Sequence, residues 1–375
     1  MGKRGNGEGT ISRRKNGGWM AQYYVHTANG RKRKTLYGKT RAEVAKKLAR
    51  ALSDREGGLV FDAEGLKLRE YLSRWLEDSV KDTVRNTTYE RYEQISRTHI
   101  IPMLGDVKLK VLSPTHVRAL YKEKLQTLSP RTVQYIHVTL HKALKQAVHD
   151  GLIPRNATEA VKPPQVRREE IRPLTPEQVK MLLDAARGDR LEALYALAVH
   201  TGLRQGELLG LKWEDVDLET GSLHVKRTLT TARGGPRLAA PKTKGSRRRV
   251  SLTRSAVDAL RAHLARQLEE IDRAGSLWQE NGLVFASETG EPLDRRDITS
   301  RQFKPLLKRA KLPEKTRFHD LRHTCATLLL TKNVNPKVVS EMLGHSNIAI
   351  TLDTYSHVLP DMQDSAARAL EEALS

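Results

Sequence analysis

The spacing of apolar residues changes several times along the chain, and each change marks a boundary. Three short runs come first, Thr10–Ser12, Trp19–Val25 and Arg31–Tyr37, separated by Asn16-Gly17-Gly18 and Asn29-Gly30. Asn-Gly between two strand-like runs signals a hairpin, because both residues accept the positive φ that a tight turn demands. From Arg41 to Leu52 the period lengthens, and Val44, Leu48 and Leu52 fall on one helical face. The expectation is a three-stranded sheet plus one helix, with Trp19 and Tyr23 packed on that helix.

Residues 66–155 read as helical. Val133, Ile136, Leu140, Leu144 and Ala147 keep a rhythm of three to four residues. Ser129-Pro130 supplies an N-cap with proline at the first helical position, and Asp150-Gly151 supplies the stop. Residues 162–173 are rich in proline and charge, a linker composition. Thr175-Pro176-Glu177-Gln178 then forms a capping box that opens a new helix. The remainder reads as helices with a strand region near 222–252, containing Gly234-Gly235-Pro236. The fold class is multi-domain, mainly α with small β-sheets. The domains fall at 1–57 (three strands plus helix), 66–160 (helical) and 172–375.

Charge adds a partner to this picture. Lys and Arg number 66 against 44 Asp and Glu, a net +22, with a pI near 10.1. Residues 1–57 alone hold 15 basic and 4 acidic side chains, so half of the surplus sits in the first module. Such a surplus suits a polyanion, which points to nucleic acid. Arg31, Lys32, Arg33 and Lys34 are the candidate DNA-binding residues there, since a β-ribbon can enter a major groove. Basic residues scattered over 66–155 fit either a solvated face or a clamp on a duplex. The start lacks the apolar core of a signal peptide, and no run is long enough to span a bilayer. Cys325 is the one cysteine, which excludes a disulfide framework and a cysteine-rich zinc module. A soluble protein of the bacterial cytoplasm, associated with the nucleoid, is expected.

Candidate chemistry lies in 172–375. Arg204 and Glu207, within Thr201-Gly202-Leu203-Arg204-Gln205-Gly206-Glu207-Leu208-Leu209, are three apart, so on a helix the carboxylate would orient the guanidinium. His319, Arg322 and His323 stand at i, i+3 and i+4, beside an apolar stripe of Leu321, Cys325, Leu328 and Leu329. Two histidines at i,i+4 are also a zinc spacing. Against that, Arg322 between them would repel a cation. Asn335-Pro336 opens a short helix that Gly344 closes, presenting His345 just beyond its end. Tyr355 follows ten residues later.

In this order and spacing, Thr201–Leu208, His319-Asp320-Leu321-Arg322-His323, Leu343-Gly344-His345 and Tyr355 resemble the tyrosine recombinase family, in its phage-integrase branch. The resemblance spans essentially the whole chain. It implies an arm-type DNA-binding domain at 1–57, a helical core-binding domain at 66–160 and a catalytic domain at 172–375. It also implies site-specific cleavage and rejoining of DNA through a 3′-phosphotyrosine, to integrate or excise a phage or other mobile element. Arg204 and Arg322 would be the paired arginines, His319 and His345 the histidines, and Tyr355 the nucleophile, with Glu207 and His323 in support. A hairpin lysine completes the implied set, at Lys242 or alternatively Lys244. Val250-Ser251-Leu252 departs from the proline that many relatives carry there, which loosens the register of that hairpin.

The implied chemistry needs no metal and no cofactor. Arginine forks neutralise the phosphoryl oxygens, the covalent phosphotyrosine conserves the bond energy, and two arginines would favour the phenolate while His319 takes or shuttles its proton. Lys242 would protonate the leaving 5′-oxygen. The implied partners are double-stranded attachment sites of core and arm types, further protomers in a homotetramer, and DNA-bending or directionality accessory proteins. No membrane partner is expected. The tail has Met362, Ala366, Leu370 and Leu374 at helical spacing, for docking on a neighbouring protomer or in cis. Rival readings are a relaxing topoisomerase, a non-catalytic DNA-binding repressor or architectural protein, and a metal-dependent nuclease.

Overall fold

The computed structural model describes residues 9–27, 30–56, 65–166, 171–232, 235–240, 247–355, 367 and 370–375, with backbone alone at 26, 27, 30–32, 54–56 and 232. The chain forms two compact units, 1–168 and 169–375. The division falls inside the proline-rich, charged segment 162–173.

Unit one begins with an antiparallel sheet of β1 (Thr10–Arg13), β2 (Trp19–Thr27) and β3 (Gly30–Gly38), in that order, followed by α1 (Arg41–Glu56). Ala21, Tyr23 and Val25 on alternate positions of β2 meet Val44, Leu48 and Ala51 of α1, with Trp19 partly buried beside them. The pleat divides the expected basic cluster. Lys34 pairs with Tyr23, on the side of the sheet that α1 covers, and Arg33 with Tyr24, on the other side; Lys32 pairs with Val25 and Arg31 with His26, with their side chains outside the described residues.

Next come α2 (Leu68–Arg74), α3 (Asn86–Ile95), α4 (Ile101–Leu104), α5 (Pro114–Leu125) and α6 (Pro130–His149), with wider π-type turns at Trp75–Val80 and Ser96–Ile100. Leu72, Ile100, Leu120, Val133, Ile136, Leu140 and Leu144 are fully buried in one core. Ser129 Oγ accepts from the N–H of Thr132, so the Ser-Pro start caps α6.

Unit two opens with α7 (Pro176–Ala186), capped by Thr175 and Gln178. α8 (Glu192–Thr201) is apolar almost all round and buried accordingly. α9 (Gln205–Leu209) leads into β4 (Val216–Asp217), β5 (Ser222–Val225), β6 (Thr228–Ala232), β7 (Gly235–Ala239) and β8 (Arg248–Ser251). These strands pair as β4-β5-β8 and β6-β7, all antiparallel. The helices α10 (Arg254–Ala274), α11 (Arg295–Asp297), α12 (Lys304–Arg309), α13 (Asp320–Thr331), α14 (Pro336–Leu343) and α15 (Ile348–Tyr355) complete it. Leu194, Leu197, Leu208, Phe285, Phe303 and Leu321 belong to its main core. A smaller cluster joins Ala326 and Leu330 of α13, Val339 and Leu343 of α14, and Tyr355. Among the described residues no helix is long and apolar enough to cross a membrane.

Candidate active site

Two glycines shape this site. Gly202 ends α8 at φ +61, and a Cβ there would lie 2.6 Å from Leu343 Cδ2, so α8 and the end of α14 meet at closest approach. Gly344 ends α14 at φ +67. Beyond it the N–H groups of Gly344 and His345 turn back to the carbonyls of Glu341 and Ser340. The carbonyls of Met342, Leu343 and Gly344 are each taken by a different arginine: Arg248 Nε at 2.6 Å, Arg322 Nη2 at 2.7 Å and Arg204 Nη2 at 3.3 Å. The negative end of the α14 dipole is thus where three cations gather.

Arg204 stands just before α9 rather than within it, as its N-cap. Glu207, three residues on, accepts the Arg204 main-chain N–H at 3.0 Å and its Nη1 at 2.9 Å. Burial presses the Glu207 carboxyl upward, but hydrogen bonding and charge from Arg248 and Arg204 outweigh it and hold the group below its ordinary range. Arg322 is buried, with Nη1 on the Gly202 carbonyl at 2.8 Å. Burial and the repulsion of Arg204 draw its pKa down to about 9, so it stays charged at neutral pH.

The histidines stand beside these cations. His345 Nδ1 lies 2.7 Å from Thr351 Oγ1. Burial first, then Arg322, Arg204 and Arg248, lower its pKa to about 4. His319 is drawn to about 4 by burial and by its neighbours His323, Arg322 and Arg204, although the residue as a whole is exposed. His319 and His323 meet edge to face, with ring centroids 5.0 Å apart. His323 Nδ1, not His319, meets Tyr355 Oη, at 2.8 Å. Both rings lie on one face of α13, and the one a turn further along is the one that the end of α15 reaches. Tyr355 is 1% exposed. Its pKa is raised to about 12 by burial, with Arg322 pulling the other way. The expected stabilisation of the phenolate is therefore outweighed by desolvation in this arrangement.

Arg204, Glu207, His319, Arg322, His323, His345 and Tyr355 are thus brought together. Lys242 and its alternative Lys244 lie outside the described residues, as does most of the tail. Arg248 joins the cluster without having been anticipated. On the outer face of β5 and β8, His224, Lys226, Arg247 and Arg249 line a groove of about 730 Å³ together with Lys212 and Arg227. It is a strongly cationic surface.

Residues 172–362 match the phage integrase family, and residues 67–134 match the phage integrase N-terminal SAM-like domain. A tyrosine recombinase XerC-like protein of Caldanaerobacter subterraneus subsp. tengcongensis is 34% identical over 360 residues, covering 91% of this chain and 92% of its own. The fold is similar to the integrase of transposon Tn1549 in complex with transposon right-end DNA, with a TM-score of 0.69 at 23% identity over 83% of this chain and 100% of that one. It is also similar to lambda integrase in a tetramer bound to a Holliday junction, with a TM-score of 0.59 at 21% identity over 94% and 96% of the two chains.

Proposed function

Since the chain belongs to the phage integrase family and is a tyrosine-type site-specific recombinase that cleaves and rejoins DNA, we propose that Tyr355 is its nucleophile. Arg204, Arg322 and His345 take the nonbridging oxygens of the scissile phosphate. The observation that carries this reading is the convergence of Arg204 and Arg322 on the end of α14 beside His345, with Arg322 within the electrostatic reach of Tyr355.

The steps follow from the groups available. Tyr355 Oη attacks phosphorus, the bond to the 5′-oxygen breaks, and a 3′-phosphotyrosine forms. The phenol proton passes to His323, its hydrogen-bond partner at rest, with His319 beside it as relay. Lys242 protonates the leaving 5′-oxygen. In the second half the 5′-hydroxyl of another strand gives its proton back to Lys242 as its oxygen attacks phosphorus, the bond to Tyr355 Oη breaks, and Tyr355 recovers its proton from His323. Attack requires the Tyr355 ring to leave the pocket of Ala326, Leu330, Val339 and Leu343. That movement removes the burial that raises its pKa while the pull of Arg322 persists, so the nucleophile becomes stronger where it is used. Developing charge on phosphorus meets cations already fixed by internal bonds, which spares reorganisation at the moment of reaction.

We assign residues 1–57 to arm-type sites, 66–160 to core sites and 172–375 to catalysis, with the chain assembling as a tetramer on DNA and accessory proteins setting direction. The side of the first sheet away from α1, with Tyr24 and Arg33, is the surface proposed to enter the groove. Leu370 and Leu374 are exposed, which favours docking of the tail on a neighbouring protomer.

The test is a nicked core-site substrate from which the short 5′-hydroxyl strand escapes after cleavage. Wild-type protein should yield detergent-stable protein–DNA adducts, also in EDTA, and Tyr355→Phe should yield none while still shifting the DNA in a gel. Adducts persisting in Tyr355→Phe would mean that another side chain attacks.

A further inference from the structure

Three guanidiniums hold the end of α14, and the mechanism above uses two of them. The third, Arg248, reaches in from β8. Besides the Met342 carbonyl, it donates Nη2 to Glu207 Oε2 at 3.0 Å and Nη1 to Oε1 at 3.4 Å. The two side chains are 7% and 4% exposed. Glu207 in turn holds Arg204 by main chain and side chain, and Arg204 returns to the Gly344 carbonyl. The bonds close a ring through β8, the start of α9 and the end of α14.

We infer that Arg248 is a positioning residue for strand cleavage: through Glu207 and the last turn of α14 it sets the direction of Arg204 and of His345, without itself contacting the phosphate. This rests on the assignment of Arg204 and His345 as phosphate ligands. Three physical arguments carry it. A carboxylate as buried as Glu207 persists ionised only when paired, and breaking such a pair strands the remaining charge. Among the described residues, the charged groups facing Glu207 are Arg204 from the start of α9, Arg248 from β8 and, further off, Arg322 from α13. Of these Arg248 acts most strongly on the carboxylate. Next, Nε, Nη1 and Nη2 of Arg248 all meet internal acceptors, which suits a strut better than a ligand. Last, a Cβ added at Gly344 would lie 2.8 Å from Arg248 Nη1, so the guanidinium packs directly against the left-handed turn that presents His345.

Full-length Arg248→Met, Glu207→Gln and the double variant should be compared in single-turnover cleavage of the nicked substrate, across pH and DNA concentration. Arg248→Met should lose about 10- to 100-fold in cleavage rate, as expected when a supporting contact lets a reacting group drift. Its half-saturating DNA concentration should stay near wild type. The rate should also acquire a new fall toward low pH, as the carboxyl, left with Arg204 alone and without its stronger partner, takes up a proton more readily. The double variant should lack that fall and cleave no more slowly than Arg248→Met, because the two residues act as one unit. Wild-type cleavage by Arg248→Met, an equal loss at every pH, or losses that multiply in the double variant would each overturn the inference. Should Arg248→Met not fold, Arg248→Lys serves: one ammonium keeps Glu207 ionised but cannot span both acceptors, so a reduced rate without the new pH dependence is expected, and a wild-type rate overturns. Arg204→Lys is run in parallel. If it too cleaves like wild type, the phosphate-ligand assignment fails; if Arg248 variants alone do, only the present inference fails.

Discussion

At Arg322 the fork shape matters as much as the charge. Its two terminal nitrogens are held by the carbonyls of Gly202 and Leu343, which fixes the guanidinium plane. Lysine keeps the charge but offers no planar fork. Arg322→Lys should therefore lower cleavage of the nicked substrate by about 10²–10³, with DNA affinity in a gel shift retained. Undiminished cleavage would show that charge alone suffices. His345 supplies a stability prediction. Its pKa in the folded chain is depressed to about 4 from an ordinary 6.5, so between those values the unfolded chain binds more protons. Stability then rises with pH, and this contribution is lost as pH falls from about 6.5 through 4. The melting temperature should drop between about pH 7 and pH 5, and His345→Gln should flatten that drop; an unchanged slope would place the responsible group elsewhere.

At the scale of an element, the left-handed residue that ends α14 packs against Arg248 and presents His345, so a change there is expected to reach the chemistry. Alanine at 344 would have to adopt φ +67, which costs about 1–2 kcal/mol, and would also push on Arg248 Nη1. Gly344→Ala should therefore lower both the urea midpoint and the rate of adduct formation. Gly188→Ala is the matched control, since Gly188 has φ +73 with nothing within 4 Å of its would-be Cβ. It should lose a similar amount of stability and no cleavage; equal cleavage by both variants would sever the link between this turn and the site. The element itself was legible in the sequence, because Asn335-Pro336 and Gly344 mark both ends by local chemistry. The hairpins of the first sheet and the caps at Ser129 and Thr175 were legible for the same reason. Which histidine meets Tyr355 was not, since His319 and His323 both have suitable spacing and only the approach of α15 selects between them. Nor was the strength of burial at Tyr355, which depends on residues of three helices. Arg248 does carry a signal in the sequence. Alternation along β8 puts it on the same face as the buried Val250, and an arginine on a core face demands a buried acceptor, which Glu207 provides.

For the whole molecule the decisive quantity is where the charge sits. Half of the net +22 lies in residues 1–57, while the cationic groove along β5 and β8 and the arginines at the end of α14 belong to unit two. If each part neutralises phosphates independently, the salt dependence of DNA binding should divide between them. Each neutralised phosphate releases counterions and steepens the fall of log K against log salt by about 0.9. On a DNA carrying both arm and core sequences, a chain lacking residues 1–57 should show a slope shallower by several such increments. On a core site alone the full and shortened chains should differ little. Cleavage of the nicked core substrate should survive the truncation, because every group assigned to chemistry lies beyond residue 200. An identical slope for both chains on the two-site DNA would mean that the first module does not contact phosphates and that its basic surplus serves another partner. A shallower slope together with lost cleavage would mean instead that the first module helps to assemble the site, and that recognition and chemistry are not the separable functions that the charge distribution implies.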